Sequence, residues 1–170
     1  MSRQRALIGS AVALFFAITV GAGIGVQSAA TAKPDGDEHG ELIYVPIYSS
    51  IFYDNAQHTL ELAATLAIHN VNADQSITIT RADYYNTDGK LLKRYAEQPL
   101  VLRPLETRSI LIEKRDTTGG TGANFLVEWR DSTQVASPVI EAVMVNAASN
   151  LGIAFTSPGR VVQRYGNWPE

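Results

Sequence analysis

The sequence predicts an all-β protein, a single antiparallel β-sandwich of the immunoglobulin-like type that follows an N-terminal hydrophobic export segment. Three observations support this prediction. Short segments rich in Val, Ile, Thr and Tyr alternate with clusters of turn-forming residues, no long amphipathic helical pattern competes with them, and the apolar N-terminal run is uncharged. A small closed barrel is the alternative architecture.

The N-terminal segment has the composition of a secretory signal. Arg3 and Arg5 form a basic start, and residues 6–32 contain no charged residue. Residues 30–32 (Ala-Thr-Ala) have the small-x-small pattern that signal peptidase recognises, so we predict cleavage after Ala32. The alternative is an uncleaved membrane anchor, because residues 6–26 are long enough to span a bilayer.

Both interpretations place the domain outside the cytoplasm. We predict an exported protein of the periplasm or cell envelope, and in the alternative a domain anchored to the inner membrane through residues 6–26, its only membrane contact. The sequence has no cysteine, which excludes a disulfide framework, a thiolate metal site, a cysteine nucleophile and a lipid-modified N-terminal cysteine.

Charge and composition narrow the function classes further. The 14 Lys and Arg residues and 17 Asp and Glu residues give a net charge of −3, which argues against a basic nucleic-acid binder. Hydrophobic residues make up 45% of the 170 residues, enough for a substantial core. We expect no nucleic-acid partner and no cofactor.

A polar segment and a clear strand come next along the chain. Residues 33–41 are polar and broken by Gly and Pro, so we expect a flexible tether before a domain at 42–165. Asp35, Asp37 and Glu41 could instead bind calcium, although the ligand frame of a calcium loop is incomplete. The clearest strand lies within residues 59–69, where one face carries Leu60, Leu62, Ala64, Leu66 and Ile68.

Further strands are predicted by the same apolar alternation and β-branched composition. They cover residues 43–47, 76–85, 90–95, 107–113, 123–130, 139–146 and 152–156. Trp129 alternates with Phe125 and Val127, so we expect its side chain in the core.

Two loops are the first candidates for a binding site. The first is a hairpin in which Gly89 can adopt a positive φ, and its candidate residues are Asn86, Asp88 and Gly89. The second is Gly-rich and could form an anion-binding nest of backbone N–H groups, or only a wide turn that Asp116 and Thr118 stabilise. Its candidate residues are Asp116, Thr117, Thr118, Gly119, Gly120, Thr121, Gly122 and Asn124.

Tyrosines form a third candidate feature. They could line a face that binds carbohydrate or peptide, or they could cover the rims of the core with their hydroxyls in water. The candidate surface residues are Tyr44, Tyr48, Tyr84 and Tyr85.

Catalytic residues are not recognisable. The three histidines are His39, His58 and His69. The sequence has no nucleophile elbow to accompany them, and their spacing does not suit a zinc site. Asp83, Glu128 and Glu141 leave carboxylate-dependent hydrolysis open. We therefore predict no catalytic residue and no metal ligand.

Several sequence blocks together resemble a known bacterial family. They cover residues 42–49, 83–90, 116–129, 141–144 and 155–160. The sequence is similar in these blocks to the exported family called domain of unknown function number 3124, over about residues 42–162. The resemblance implies an export signal and a β-rich domain, with no activity attached.

These observations predict a non-catalytic exported module of the cell envelope that binds or supports an unknown envelope protein, peptide or glycan through loops at one end of the sandwich. The alternative is a small envelope hydrolase with a carboxylate or histidine centre. A binding module should present a shallow, rigid polar–aromatic patch, and a hydrolase a concave pocket of ionisable groups. A structural role through an exposed strand edge is the third possibility.

Overall fold

The computed structural model describes residues 38–133, 135–147 and 152–168. The predicted signal peptide at residues 1–32, its cleavage point after Ala32 and residues 33–37 of the predicted tether lie outside the described residues. No helix among the described residues has the length and apolar character needed to cross a membrane.

The described residues form β-strands and one short 3₁₀ turn, Gly120–Gly122, which confirms the prediction of an all-β protein. The strands are β1 (His39–Pro46), β2 (Ser50–Tyr53), β3 (His58–Glu61), β4 (Ala63–His69), β5 (Ile77–Tyr85), β6 (Leu91–Arg94), β7 (Leu100–Leu102), β8 (Thr107–Ile112), β9 (Asn124–Asp131), β10 (Val139–Asn146), β11 (Ile153–Pro158) and β12 (Arg160–Tyr165).

Most strands belong to two antiparallel sheets. The six-stranded sheet has the order β12-β1-β9-β5-β6, with β7 also paired to β5. The four-stranded sheet has the order β11-β10-β4-β8, and β2 and β3 form a separate hairpin. Both orders are open over the described ranges, so the closed-barrel alternative is not the fold of this part of the chain.

One hydrophobic core lies between the two sheets. The six-stranded sheet contributes Val127 and Trp129, both fully buried, and the four-stranded sheet contributes Leu66 and Met144. Alternate residues of each strand therefore face a shared interior, as in a sandwich. The prediction that Trp129 lies in the core is confirmed.

A β-bulge interrupts the pairing of β5 with β9. Ile79 pairs with Trp129, whereas Arg81 pairs with Glu128, so Thr80 is an extra residue in β5. Such an insertion leaves two residues of one strand opposite one residue of its neighbour and bends the bulged strand.

The bulge changes which residues of β5 face the core. Before it, Ile77 and Ile79 are buried, and after it Ala82 and Tyr84 are buried, so the inward positions change from odd to even numbers. The outward positions change in the opposite sense. As a result, the outer face of the six-stranded sheet receives Arg81, Asp83 and Tyr85.

The structure differs from the predicted strands in several places. β1 begins at His39, so the last residues of the predicted tether belong to a strand, and Glu41 is fully buried there. The predicted strand at 59–69 is divided into β3 and β4, because the N–H of Leu62 donates to the carbonyl of Ser49 at 2.9 Å instead of continuing one ladder. β2, β7 and β12 were not predicted.

Candidate functional site

Thr87 joins the two predicted binding loops. Its backbone N–H and its Oγ1 both donate to the carbonyl of Gly119, at 2.9 and 3.0 Å, and its Oγ1 accepts from the N–H of Gly122 at 2.9 Å. The Gly-rich loop therefore packs against the hairpin at residues 86–89.

The hairpin has the turn chemistry that its sequence predicts. Asn86 Oδ1 accepts from the N–H groups of Asp88 and Lys90 at 3.1 and 2.8 Å, and Gly89 has a φ of 75°. The positive φ suits glycine because a Cβ atom would be strained there. The predicted hairpin is confirmed.

Backbone N–H groups of the Gly-rich loop donate hydrogen bonds to side chains of the protein itself. Those of Thr118 and Gly120 donate to Asp116 Oδ1 at 3.1 Å and to Ser49 Oγ at 2.8 Å, and that of Gly122 donates to Thr87. Of the three glycines of this loop, only Gly120 has a positive φ, 77°. This geometry matches the wide-turn interpretation, since three amides of the proposed anion nest are already used.

Tyr84 does not belong to a surface, contrary to the prediction for this residue. It is 2% exposed and stacks on Phe125 with ring centroids 5.0 Å apart, because the bulge in β5 turns position 84 inward. Burial, and then the charge of Asp116, raise the pKa of Tyr84 to about 12 against an opposing effect of Ser49.

The other predicted tyrosines are divided between two places. Tyr48 is partly buried and packs against Phe155, with ring centroids 6.2 Å apart. Tyr44 and Tyr85 lie on the outer face of the six-stranded sheet. The four tyrosines therefore do not form one surface, but two of them share a face.

This outer face is ordered in rows that cross the strands. Strand register aligns one residue of each neighbouring strand in a row. The first row contains Arg160, Tyr44, Leu126, Asp83 and Arg94; the second contains Gln163, Leu42, Glu128 and Arg81; the third contains Tyr165, Gly40, Arg130 and Thr78. We call these three rows, together with Tyr85 on the same side of β5, the arginine face.

Asp83 organises one part of the arginine face. Its Oδ2 accepts from Arg81 Nε at 2.8 Å, and Arg94 Nε lies 3.9 Å from its Oδ1. Arg81 also donates to the hydroxyl of Tyr85, which lies 3.4 Å from Asp83 Oδ2. Burial acts to lower the pKa of Arg81, but the hydrogen bond and charge of Asp83 outweigh it, so this pKa is raised.

Glu128 organises the adjacent part. Its Oε1 accepts from Arg130 Nε and Nη2, both at 3.0 Å, and from Thr80 at 3.1 Å, while the Tyr165 hydroxyl donates to Oε2 at 3.2 Å. The Arg130 guanidinium stacks 3.4 Å from the centre of the Tyr165 ring. Burial and the charge of Glu128 raise the pKa of Tyr165.

The Asp83 carboxylate is shielded, whereas the guanidiniums beside it are more accessible. The side chain of Asp83 is 8% exposed, whereas those of Arg81 and Arg94 are 34% and 66% exposed. Glu128 and its partner Arg130 are both largely covered, with side chains that are 20% and 11% exposed. The surface that a ligand meets is therefore cationic and aromatic, although each carboxylate neutralises part of the charge beneath it.

The sequence suggests only a hydrolytic role for Asp83, Glu128 and Glu141. The structure places the first two on the arginine face and Glu141 on β10, in the other sheet. The histidines are also separate, on β1, β3 and β4. Within the described ranges, no three His, Asp or Glu side chains are arranged to hold a metal ion.

The hairpin of β2 and β3 is a second exposed feature that the sequence did not predict. Phe52 and Tyr53 are 58% and 52% exposed there. β2 lies beside the 3₁₀ turn of the Gly-rich loop, so this hairpin and the two predicted loops are at the same end of the fold.

One of three comparisons with known proteins supports the sequence blocks. The curated proteins contain no match to this chain. A solved structure titled "Crystal Structure of Thermotoga maritima 1070" is similar, with a TM-score of 0.45 and 12% identity over 71% of this chain and 92% of that chain. A family match covers residues 40–162, which confirms the resemblance found in the sequence. The chain therefore belongs to the family described as "Protein of unknown function (DUF3124)".

Proposed function

We propose that this protein is a non-catalytic binding module of the bacterial cell envelope and that the arginine face is its binding surface. The observation that carries the proposal is the pre-formed arrangement of Arg81 and Tyr85 around Asp83, with the exposed Arg94 beside it. Side chains that are held in place before binding lose less conformational entropy when a ligand arrives.

The contacts of Glu128 favour binding over hydrolysis. Both of its oxygens already accept hydrogen bonds from the protein, from Arg130, Thr80 and Tyr165. A general acid or base must instead exchange its proton with the substrate. The depression along β12, lined by residues 161–164, is about 230 Å³, below the roughly 300 Å³ at which ligand pockets begin.

The envelope location rests on the N-terminal sequence. Residues 6–32 carry no charge and follow Arg3 and Arg5, which is the pattern of an export signal. An exported binding domain without cysteines depends on its core for stability, and the buried interior between the two sheets fits that requirement.

Cosedimentation with isolated envelopes of the producing bacterium tests the proposal. The full-length protein is compared with the double variant Arg81→Gln/Arg94→Gln and with the matched control Arg103→Gln/Arg108→Gln, which removes the same charge from the exposed β7–β8 region. We expect wild type and control to sediment with the envelopes and the face variant to remain soluble. Equal retention of the face variant would refute the proposed surface.

Two further measurements separate the alternatives. The loop variant Asp88→Asn/Thr121→Val tests the predicted site at the loop end, and selective loss of retention in this variant would move the binding surface there. Release of soluble sugar or peptide from the envelopes by the wild type would support the hydrolase instead. Thermal unfolding of each variant verifies that it is folded.

A further inference from the structure

We infer that the arginine face recognises an acidic polysaccharide, with its carboxylates at the guanidiniums and a sugar ring on Tyr44. This inference rests on the proposed function and adds the chemical class of the ligand. Three features support this inference: the accessible positive charge on the face, the length of its first row, and the pairing of its central strands on both sides, which uses their backbone hydrogen-bonding groups.

The accessible positive charge favours an anionic ligand. Arg94 is the exposed partner and Arg81 the partly exposed partner of the shielded Asp83, and Arg160 has no ion-pair partner among the residues that the structure describes. Guanidinium groups bind carboxylates through two parallel hydrogen bonds, which gives this contact both strength and direction. An acidic ligand is therefore favoured in a chain whose net charge is −3.

The length of the first row favours a polymer over a small molecule as the ligand. Arg160 on β12 and Arg94 on β6 stand at its two ends, with Tyr44 between them. Neighbouring strands lie about 4.8 Å apart, so the four intervals between these end positions span about 19 Å. A ligand that reaches both arginines must be extended.

The position of Tyr44 favours a sugar polymer over a peptide as the ligand. It is 36% exposed beside Arg160 in the row, where its ring can cover the apolar face of a sugar. An extended peptide gains most of its affinity from main-chain hydrogen bonds to a sheet edge. β1, β9 and β5 are paired on both sides, so they offer a ligand on this face only their side chains.

Affinity electrophoresis of the full-length protein tests the inference with three probes: polygalacturonate, neutral dextran and poly-glutamate. We expect retardation by polygalacturonate alone, weakened by added salt because exposed charges are screened. Arg160→Gln and Arg94→Gln should each weaken it about five-fold, and Tyr44→Ala about three- to ten-fold. The controls are Arg103→Gln and Tyr53→Ala, which is exposed on the β2–β3 hairpin.

Three outcomes would overturn the inference: equal retardation by poly-glutamate, which would indicate an acidic-peptide surface; retardation by dextran; and no effect of Arg160→Gln. Failure here is distinguishable from failure of the proposed function. If envelopes retain the wild type but not Arg81→Gln/Arg94→Gln, while polygalacturonate binds neither protein, the arginine face remains the binding surface and only the ligand class is wrong.

Discussion

Glu41 Oε2 accepts a hydrogen bond from the indole Nε1 of Trp129 at 3.3 Å, inside the sandwich. Its other oxygen, Oε1, lies 3.2 Å from Nε of Arg164, whose side chain is 59% exposed whereas that of Glu41 is 1% exposed. A buried carboxylate thus depends on one neutral donor and one cation at the surface.

Removing this cation should destabilise the fold. We expect Arg164→Ala to lower the free energy of unfolding by about 1–2 kcal/mol, because a buried carboxylate loses its charged partner, with a discount for the exposure of Arg164. Adding Glu41→Leu should restore part of the loss. Urea unfolding measures both. The control, Arg103→Ala, breaks the exposed pair with Glu106 and should change the free energy of unfolding far less; equal losses in the two arginine variants would contradict this account.

Thr87 should be the residue that holds the two predicted loops together. Thr87→Val keeps the side-chain shape but removes the hydrogen bonds of Oγ1 to Gly119 and Gly122. We expect a loss of about 1–2 kcal/mol and faster hydrogen exchange at the Gly122 amide. Thr117→Val, at an exposed position of the same loop, is the matched control and should leave this exchange rate unchanged.

Gly119 has no room for a methyl group. An added Cβ would contact the Tyr84 hydroxyl, with Tyr84 Cζ at 2.9 Å and the Ala123 Cβ at 2.8 Å. We therefore expect Gly119→Ala to cost about 1–3 kcal/mol, and Tyr84→Phe in the same chain to recover part of it by removing the oxygen. Gly152→Ala, with no atom within 4 Å, serves as the control. Additive losses in the double variant would show that the clash is elsewhere.

Alkaline pH should destabilise the protein through Tyr84. Its folded pKa, about 12, exceeds the ordinary value of 10.0, so the folded state keeps the phenol proton longer than the unfolded chain. The stability gained from neutral Tyr84 is complete below about pH 10 and is lost as the pH rises through about 12, by about 2–3 kcal/mol at most. Urea unfolding between about pH 9 and 12 should show a smaller decrease for Tyr84→Phe than for the wild type, and parallel curves would refute this assignment.

The sequence predicts best those strands that have one buried and one exposed face. β10 was predicted with its observed bounds, because Ile140, Ala142 and Met144 alternate with more exposed residues. β12 lacks this signal, since nearly all of its residues are exposed at the edge of the sheet. β7 has three residues, too few to establish a period.

The loop part of the candidate site was predictable, but the arginine face was not. Turn chemistry depends on local residues such as Asn86 and Gly89, which a sequence displays directly. The face depends on the bulge at Thr80, which the pairing with β9 reveals. One signal was available: strict alternation from Ile77 and Ile79 would bury Arg81 and Asp83, an arrangement so costly that a change of phase could have been inferred.

The bulge also decides whether odd-numbered or even-numbered residues of β5 face the core. If Thr80 were deleted, Arg81 would follow Ile79 directly and β5 would alternate without a bulge, so Arg81 and Asp83 would keep their outward positions and Tyr84 its inward one. Among family members, a one-residue gap at this position would thus remove the bend in β5 and still keep the arginine face. The side on which each residue after Thr80 lies is therefore set by its partner on β9, and not by counting positions from Ile77.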